Sequence, residues 1–157
     1  MALYKTLYES TSKVTSKTQS VVKTPRVLNL SLTYNPNTKT MTYNAGINSN
    51  TTSDNYDVIV EFTNVEPTQG LTEDEIVKGF QPKPSLEHND IKVFCNCTNY
   101  RFRFDEYNRS AGAGTGPAFP PYFRKTNRAP NNPQKLPGVC SHIIELVEYL
   151  SDRGFFS

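Results

Sequence analysis

Three stretches of the chain alternate apolar and polar residues with a period of two. Leu28, Leu30, Leu32 and Tyr34 mark the first, Met41, Tyr43, Ala45 and Ile47 the second, and Tyr56, Val58, Val60 and Phe62 the third. Successive side chains of a strand point to opposite faces, so each stretch predicts a half-buried β-strand. Asn35-Pro36-Asn37-Thr38 is a turn signal between the first two, and the polar run 48–55 separates the second from the third. Residues 27–63 therefore read as a three-stranded antiparallel meander with one face toward a core. A shorter apolar run at 91–95 predicts one more strand.

Helical spacing follows. Ile143, Ile144, Leu146, Val147, Tyr149 and Leu150 crowd one broad face of a helix over 141–152, with Glu145, Glu148 and Asp152 on the wet side and Gly154 as its stop. Thr72-x-x-Glu75 is a capping-box pattern that opens a short helix over 72–78, closed by Gly79. Tyr100, Phe104 and Tyr107 fall on one face of a further helix, capped by Thr98 or Asn99.

Three segments lack any period. The hydroxyl- and lysine-rich stretch 10–24 predicts that residues 1–26 form an extended basic arm, ordered by a neighbouring chain. Residues 81–85 carry two prolines and read as a linker. Residues 110–138 are rich in glycine and proline, and an irregular loop of that length in a small domain is generally functional or disordered until bound. The resulting fold class is α+β: a meander with a short helix (27–90), then a module (91–157) carrying a long insertion (98–139).

Composition sharpens this outline. Only 36% of the 157 residues are hydrophobic, so the core is small and gains from a staple. The apolar runs fall short of the ~18 residues a membrane span needs, and the first residues, MALYKTLYES, lack the apolar core of a secretory signal. Charge is segregated. Residues 1–26 hold five basic and one acidic side chain, 27–90 three and nine, and 98–139 seven and two. A basic arm and a basic insertion thus flank an acidic middle, an asymmetry suited to charged partners as well as to ordinary surface variation.

The chain has three cysteines. Cys95 and Cys97 form a C-x-C pair, and Cys140 stands two residues before His142. Three thiolates and an imidazole make a complete tetrahedral ligand set for one structural Zn²⁺, with no position left for a water or substrate. A disulfide framework would leave one thiol over, and a redox or nucleophilic cysteine needs a base that the remaining histidine, His88 in an acidic loop, is poorly placed to supply. Three buried thiols beside an unrelated histidine are the bland alternative. The predicted strand and helix bring C-x-C to a strand end and C-x-H to a helix start.

The pattern Cys95-Asn96-Cys97 … Cys140-Ser141-His142 resembles the SWIM-type zinc finger, C-x-C then C-x-H on a ββα scaffold, with Phe94 and Ile143-Ile144 as flanking apolar residues. The resemblance covers about 91–152, with a spacer longer than is usual, and implies zinc ligation by Cys95, Cys97, Cys140 and His142. A strand ending in C-x-C, an aromatic and basic stretch like 98–109, and a "PG-x-C-x-H" entry to a helix are also similar to short structural proteins of tailed bacteriophages. That likeness implies a non-enzymatic virion component of the head, neck or tail region, in contact with other virion proteins in a ring or shell.

A second expectation comes from the insertion itself. Arg101, Arg103, Arg109, Arg124, Lys125 and Arg128 are interleaved with aromatics that include Phe119, Tyr122 and Phe123, a composition suited to single-stranded nucleic acid. Helical spacing assigns Tyr100, Phe104 and Tyr107 to a core instead. No phosphate loop or small-molecule catalytic constellation stands out, because Gly112, Gly114 and Gly116 lack the Lys-Ser/Thr that follows such a loop. The expectation is therefore a protein that is not an enzyme, with no membrane and no small-molecule substrate.

Overall fold

The structure is a computed structural model that describes residues 2–14, 26–48, 55–119, 132 and 134–157. Four strands, β1 (Arg26–Asn35), β2 (Thr40–Asn48), β3 (Asn55–Phe62) and β4 (Ile91–Cys95), form one antiparallel sheet in chain order. The fold is α+β, as the alternation predicted, but the meander has four strands. The strand that ends in Cys95 pairs with β3 and so belongs to the same sheet. The second strand expected of a ββα scaffold shrinks to a parallel bridge between Val93 and Gly114.

Helix α5 (Ser141–Asp152) covers one face of the sheet. Ile143, Leu146, Val147 and Leu150 meet Met41, Tyr43, Ala45 and Ile47 of β2, Val58, Val60 and Phe62 of β3, and Ile91, Val93 and Cys95 of β4. Those strand residues alternate because only one pleat face points at the helix. Beyond α5, Phe155 and Phe156 turn back against Tyr43 and Phe62.

Four expectations change. First, Tyr4–Val14 is a helix, α1, rather than part of an extended arm; residues 15–25 lie outside the described residues. Leu7 is fully buried and Thr11 nearly so. A stripe of one leucine, tyrosines and a threonine gives little apolar periodicity, and docking supplies what propensity lacks.

Second, of the three acidic residues assigned to the wet side of α5, Glu148 and Asp152 are exposed but Glu145 is buried. Burial, with the nearby charges of Glu148 and Glu145, pushes the Tyr4 hydroxyl above the ordinary tyrosine range.

Third, β1 has a bulge between Leu28 and Ser31, with Asn29 in the left-handed region at φ 52°. Leu28 faces Gly46 on the outer side, whereas Leu32 faces Tyr43 on the core side. The extra residue breaks the period and puts the two leucines on opposite faces.

Fourth, the helix expected over 98–107 divides at Phe104 (φ −123°) into α3 (Thr98–Arg103) and α4 (Asp105–Ser110). The break shifts the buried face by one residue, so Asn108 is buried where Tyr107 was expected. Helix α2 (Glu73–Val77) has the predicted capping box: the Thr72 hydroxyl accepts from the Glu75 amide at 3.2 Å, and the Glu75 carboxylate accepts from the Thr72 amide at 3.1 Å.

Candidate metal centre

The four sequence-predicted ligands converge. The sulfurs of Cys95, Cys97 and Cys140 and a ring nitrogen of His142 all lie within 4.8 Å of one another. His142 Nδ1 is 3.8 Å from Cys95 Sγ and 3.9 Å from Cys140 Sγ. The cysteines are buried, form no disulfide and can hold a single metal ion together with His142.

Each ligand is placed by a distinct local cause. Cys95 is the last residue of β4 and pairs with Val58. Asn96, between the two cysteines, bonds to β3 in both directions. Its amide donates to the Asp57 carbonyl at 3.2 Å, and its side-chain oxygen accepts from the Asp57 amide at 2.9 Å. This pair continues the ladder past the strand end and fixes where Cys97 begins. Cys97, rather than Thr98 or Asn99, is the N-cap of α3, and its sulfur accepts from the Tyr100 amide at 3.4 Å. A sulfur can serve as cap acceptor here because the backbone N–H groups of a helix start need partners.

Cys140 is the N-cap of α5, and His142 sits in that helix's first turn, its ring 4.5 Å from the Tyr56 ring of β3. The run into Cys140 is held by side chains that imitate a strand neighbour. Asn108 donates to the Gly138 carbonyl at 2.8 Å and accepts from the Gly138 amide at 2.8 Å. The Thr11 hydroxyl accepts from the Val139 amide at 2.8 Å. Asn132 bonds to Leu136 in both directions and donates to the Arg103 carbonyl. A Cβ on Gly138 would come within 2.5 Å of the Phe104 ring, so only glycine lets the chain pass there. Asn96, Asn108 and Thr11 carry no chemical motif. Only the bare glycine before Val139-Cys140 hinted at a tight passage.

The electrostatics fit a cation. Burial pushes the Cys95 and Cys140 thiols above their ordinary range. Hydrogen bonds from Cys140 and Cys95, with smaller help from His142 and the Tyr100 amide, hold Cys97 well below it. One thiolate among protonated neighbours is a poor use of three sulfurs in a buried pocket, and a bound cation lets all three ionise together.

The residues assigned to the interacting surface separate. Tyr122, Phe123, Arg124, Lys125 and Arg128 lie outside the described residues. Arg109 is used internally: it pairs with Asp105 at 3.1 Å and donates to the carbonyls of Thr115, Gly116 and Pro117. Phe119 stacks on Phe94 at 5.4 Å, 18° from parallel. Arg101 lies 4.9 Å from the Phe102 ring centroid and 5.3 Å from that of Phe119, and Arg103 stands at the end of the same helix. Tyr100 and Phe104 are core, as their spacing predicted.

No described helix is long and apolar enough to cross a membrane. No family model matches the chain, and comparison with curated proteins and with solved structures found no match either.

Proposed function

We propose that Cys95, Cys97, Cys140 and His142 bind one zinc ion as a structural staple of a non-enzymatic interaction protein, a component of a tailed-bacteriophage virion. The observation that carries this reading is the convergence of all four donors, supplied by two remote chain segments, in a buried position. A tetrahedral centre with Zn–S of about 2.3 Å and Zn–N of about 2.0 Å has ligand–ligand edges near 3.5–3.8 Å. The His142–cysteine distances of 3.8 and 3.9 Å are close to that. Thiolates favour zinc over hard cations, and a closed four-ligand set favours a folding role over catalysis. The C-x-C strand end and C-x-H helix start also agree with the SWIM-type resemblance. The virion setting rests on the bacteriophage-like stretch from Cys95 to the C-terminal helix.

Elemental analysis of protein purified without added metal tests the centre, with one zinc per chain expected. Stoichiometric absence of metal would remove the staple. Mass spectrometry of purified particles tests the setting, and recovery only in nucleic-acid processing complexes would exclude it.

One observation favours a second reading, nucleic-acid binding. The Arg101 guanidinium and the flanking Phe102 and Phe119 rings resemble a platform for phosphate and base. A steep loss of oligonucleotide affinity with rising salt would support it.

A further inference from the structure

Helix α1 is tied down near both ends by backbone partners far away in the sequence. The Ala2 carbonyl, just before the helix, accepts from the Ile91 amide at 2.8 Å, at the start of β4. Toward its other end the Thr11 hydroxyl accepts from the Val139 amide at 2.8 Å, next to Cys140. The helix rises roughly 10 Å between Tyr4 and Thr11, at about 1.5 Å per residue. It is a strap from the start of β4 to the segment that carries Cys140.

The Thr11 contact is selective. The Leu7 carbonyl at 2.8 Å is the nearer acceptor for its proton, against 3.5 Å for the Val139 carbonyl, which leaves a lone pair for the Val139 amide. Thr11 is 4% exposed and Val139 fully buried, so an unpaired amide there would carry a desolvation penalty. A Cβ on Gly138 would stand 2.7 Å from the Thr11 hydroxyl oxygen, so helix and segment pass at a distance that only glycine permits.

Both partners in this contact are conditional. Eleven residues are too few for a helix that is stable alone. Among its described residues Leu7 is the fully buried one, with Tyr4 packed partly against the core and Tyr8 half exposed. Residues 138–140, for their part, pair with no strand among the described residues. A cation that gathers Cys140 with Cys95 and Cys97 would fix the neighbouring Val139 amide, and that amide is what Thr11 grips. Coupling of this kind is reciprocal.

We propose that metal occupancy decides whether α1 is docked, with Thr11 the positioning residue that carries the coupling. Loaded with metal, the chain holds α1 down and keeps the Ile91 end of β4 covered. Without metal α1 comes away, and the core seat of Leu7 and the Ile91 amide open together. The inference deepens the staple reading by giving the metal an element to regulate, and it rests on that reading.

The full chain, as purified with zinc, tests it through trypsin cleavage after Lys5, amide exchange at Ile91 and zinc affinity by chelator competition. Lys5 is exposed but lies within the helix, so cleavage there needs α1 to open. Chelation should speed both cleavage after Lys5 and exchange at Ile91 by ~10-fold or more, while the amides of β2 and β3 keep their protection. Added zinc should reverse both. Thr11→Val keeps the side chain's shape and removes the acceptor. It should open α1 in the zinc-loaded protein and lower zinc affinity ~10-fold, and Thr11→Ser should return both readings to wild type. Leu7→Ala loosens α1 through burial instead of the Val139 bond, and by reciprocity it too should weaken zinc binding.

A helix that stays closed after chelation overturns the proposal. So does release of α1 only together with β2 and β3, because the metal would then hold the whole fold. So does a Thr11→Val or Leu7→Ala chain that opens α1 and binds zinc like wild type. A chain that takes up no zinc sinks the staple and the strap together, whereas a zinc-loaded chain whose α1 ignores chelation sinks the strap alone.

Discussion

Two long irregular connections enter and leave β4. Residues 63–90 join it to β3, and residues 96–140 join it to α5. Both are polar and interrupted by prolines. The first starts and ends on neighbouring strands, and the Thr63 amide bonds to the Asp90 carbonyl at 3.0 Å just beyond the last ladder pair. Its mouth is closed by the sheet, so its interior needs only local polar bonds. Asn89 provides them. Its oxygen accepts from the Ser85 amide at 2.7 Å and the Gln69 side chain at 2.6 Å, and its nitrogen donates to the carbonyls of Thr63 and Asn64.

The second connection runs from a strand end to a helix on the sheet's face. Among the described residues no backbone ladder pairs those two ends, and closing a long loop costs chain entropy. The four candidate metal ligands sit at its two ends, two on each. Asn108, Asn132 and Thr11 then fix its last residues. A connection between paired strands can be closed by hydrogen bonds alone; one that crosses between layers needs a stronger clamp.

The largest expected effect breaks that clamp. Structural zinc carries the whole fold of zinc-finger peptides; in this larger chain its removal should act first on the ends of the second connection. Cys97→Ser, Cys140→Ser or chelation should release the metal and loosen α3, α4 and the start of α5. Amide hydrogen exchange reads both connections at once: protection of the Gly138 amide should collapse, and that of the Ser85 amide should fall less. Equal loss at the two amides would mean that the metal does not act on the second connection in particular.

Next in size are the two asparagine hubs. Asn89→Ala strands two carbonyls, one amide and the Gln69 side chain, for about 4 kcal/mol at roughly 1 kcal/mol per lost bond. Urea melts should show this loss while zinc affinity stays unchanged. Asn108→Ala removes both Gly138 bonds and the one to the Tyr100 hydroxyl, for about 2–3 kcal/mol. It should also lower zinc affinity ~10-fold, in the manner of outer-shell partners. Competition with a chromogenic chelator separates the two variants. If Asn89→Ala weakened metal binding as much as Asn108→Ala, the two connections would not be independent.

The same division explains what could be read from the sequence. Strands β2 and β3, helix α5 and the α2 cap follow local rules of period or spacing, and Met41, Val58, Leu146 and Thr72 each signal their role through neighbours in the chain. The cluster that can hold a metal was legible because ligand chemistry names its own partners, even across 42 intervening residues. Helix α1 was not legible, since Leu7 and Thr11 acquire their meaning from α5 and Val139. The bulge at Asn29 and the break at Phe104 escaped for a similar reason. Each moves the buried face by one residue and is set by what the chain packs against, and the only local sign is that asparagine tolerates a positive φ.

The smallest effect, an acid titration, distinguishes the connections by their chemistry. Bonds from the Thr72 amide and hydroxyl, with lesser help from Lys83 at 3.5 Å, hold the Glu75 carboxyl below the ordinary glutamate range. Its folded value is depressed, so its contribution is present above the unfolded value and is lost as pH falls through the folded one. Metal ligation also weakens as pH falls, because the thiolates and imidazole must be deprotonated to bind. The two openings protonate different groups, the metal ligands in one and the Glu75 carboxyl in the other, so acid should drive them separately. Zinc release followed by a metallochromic dye, and the Thr72 amide shift followed by NMR, should give two separate midpoints. Glu75→Gln keeps the capping acceptor and should abolish the cap transition while leaving zinc release in place. A single midpoint shared by both signals would show that the cap depends on the metal-held half of the molecule, and the contrast between the two connections would then be one of degree.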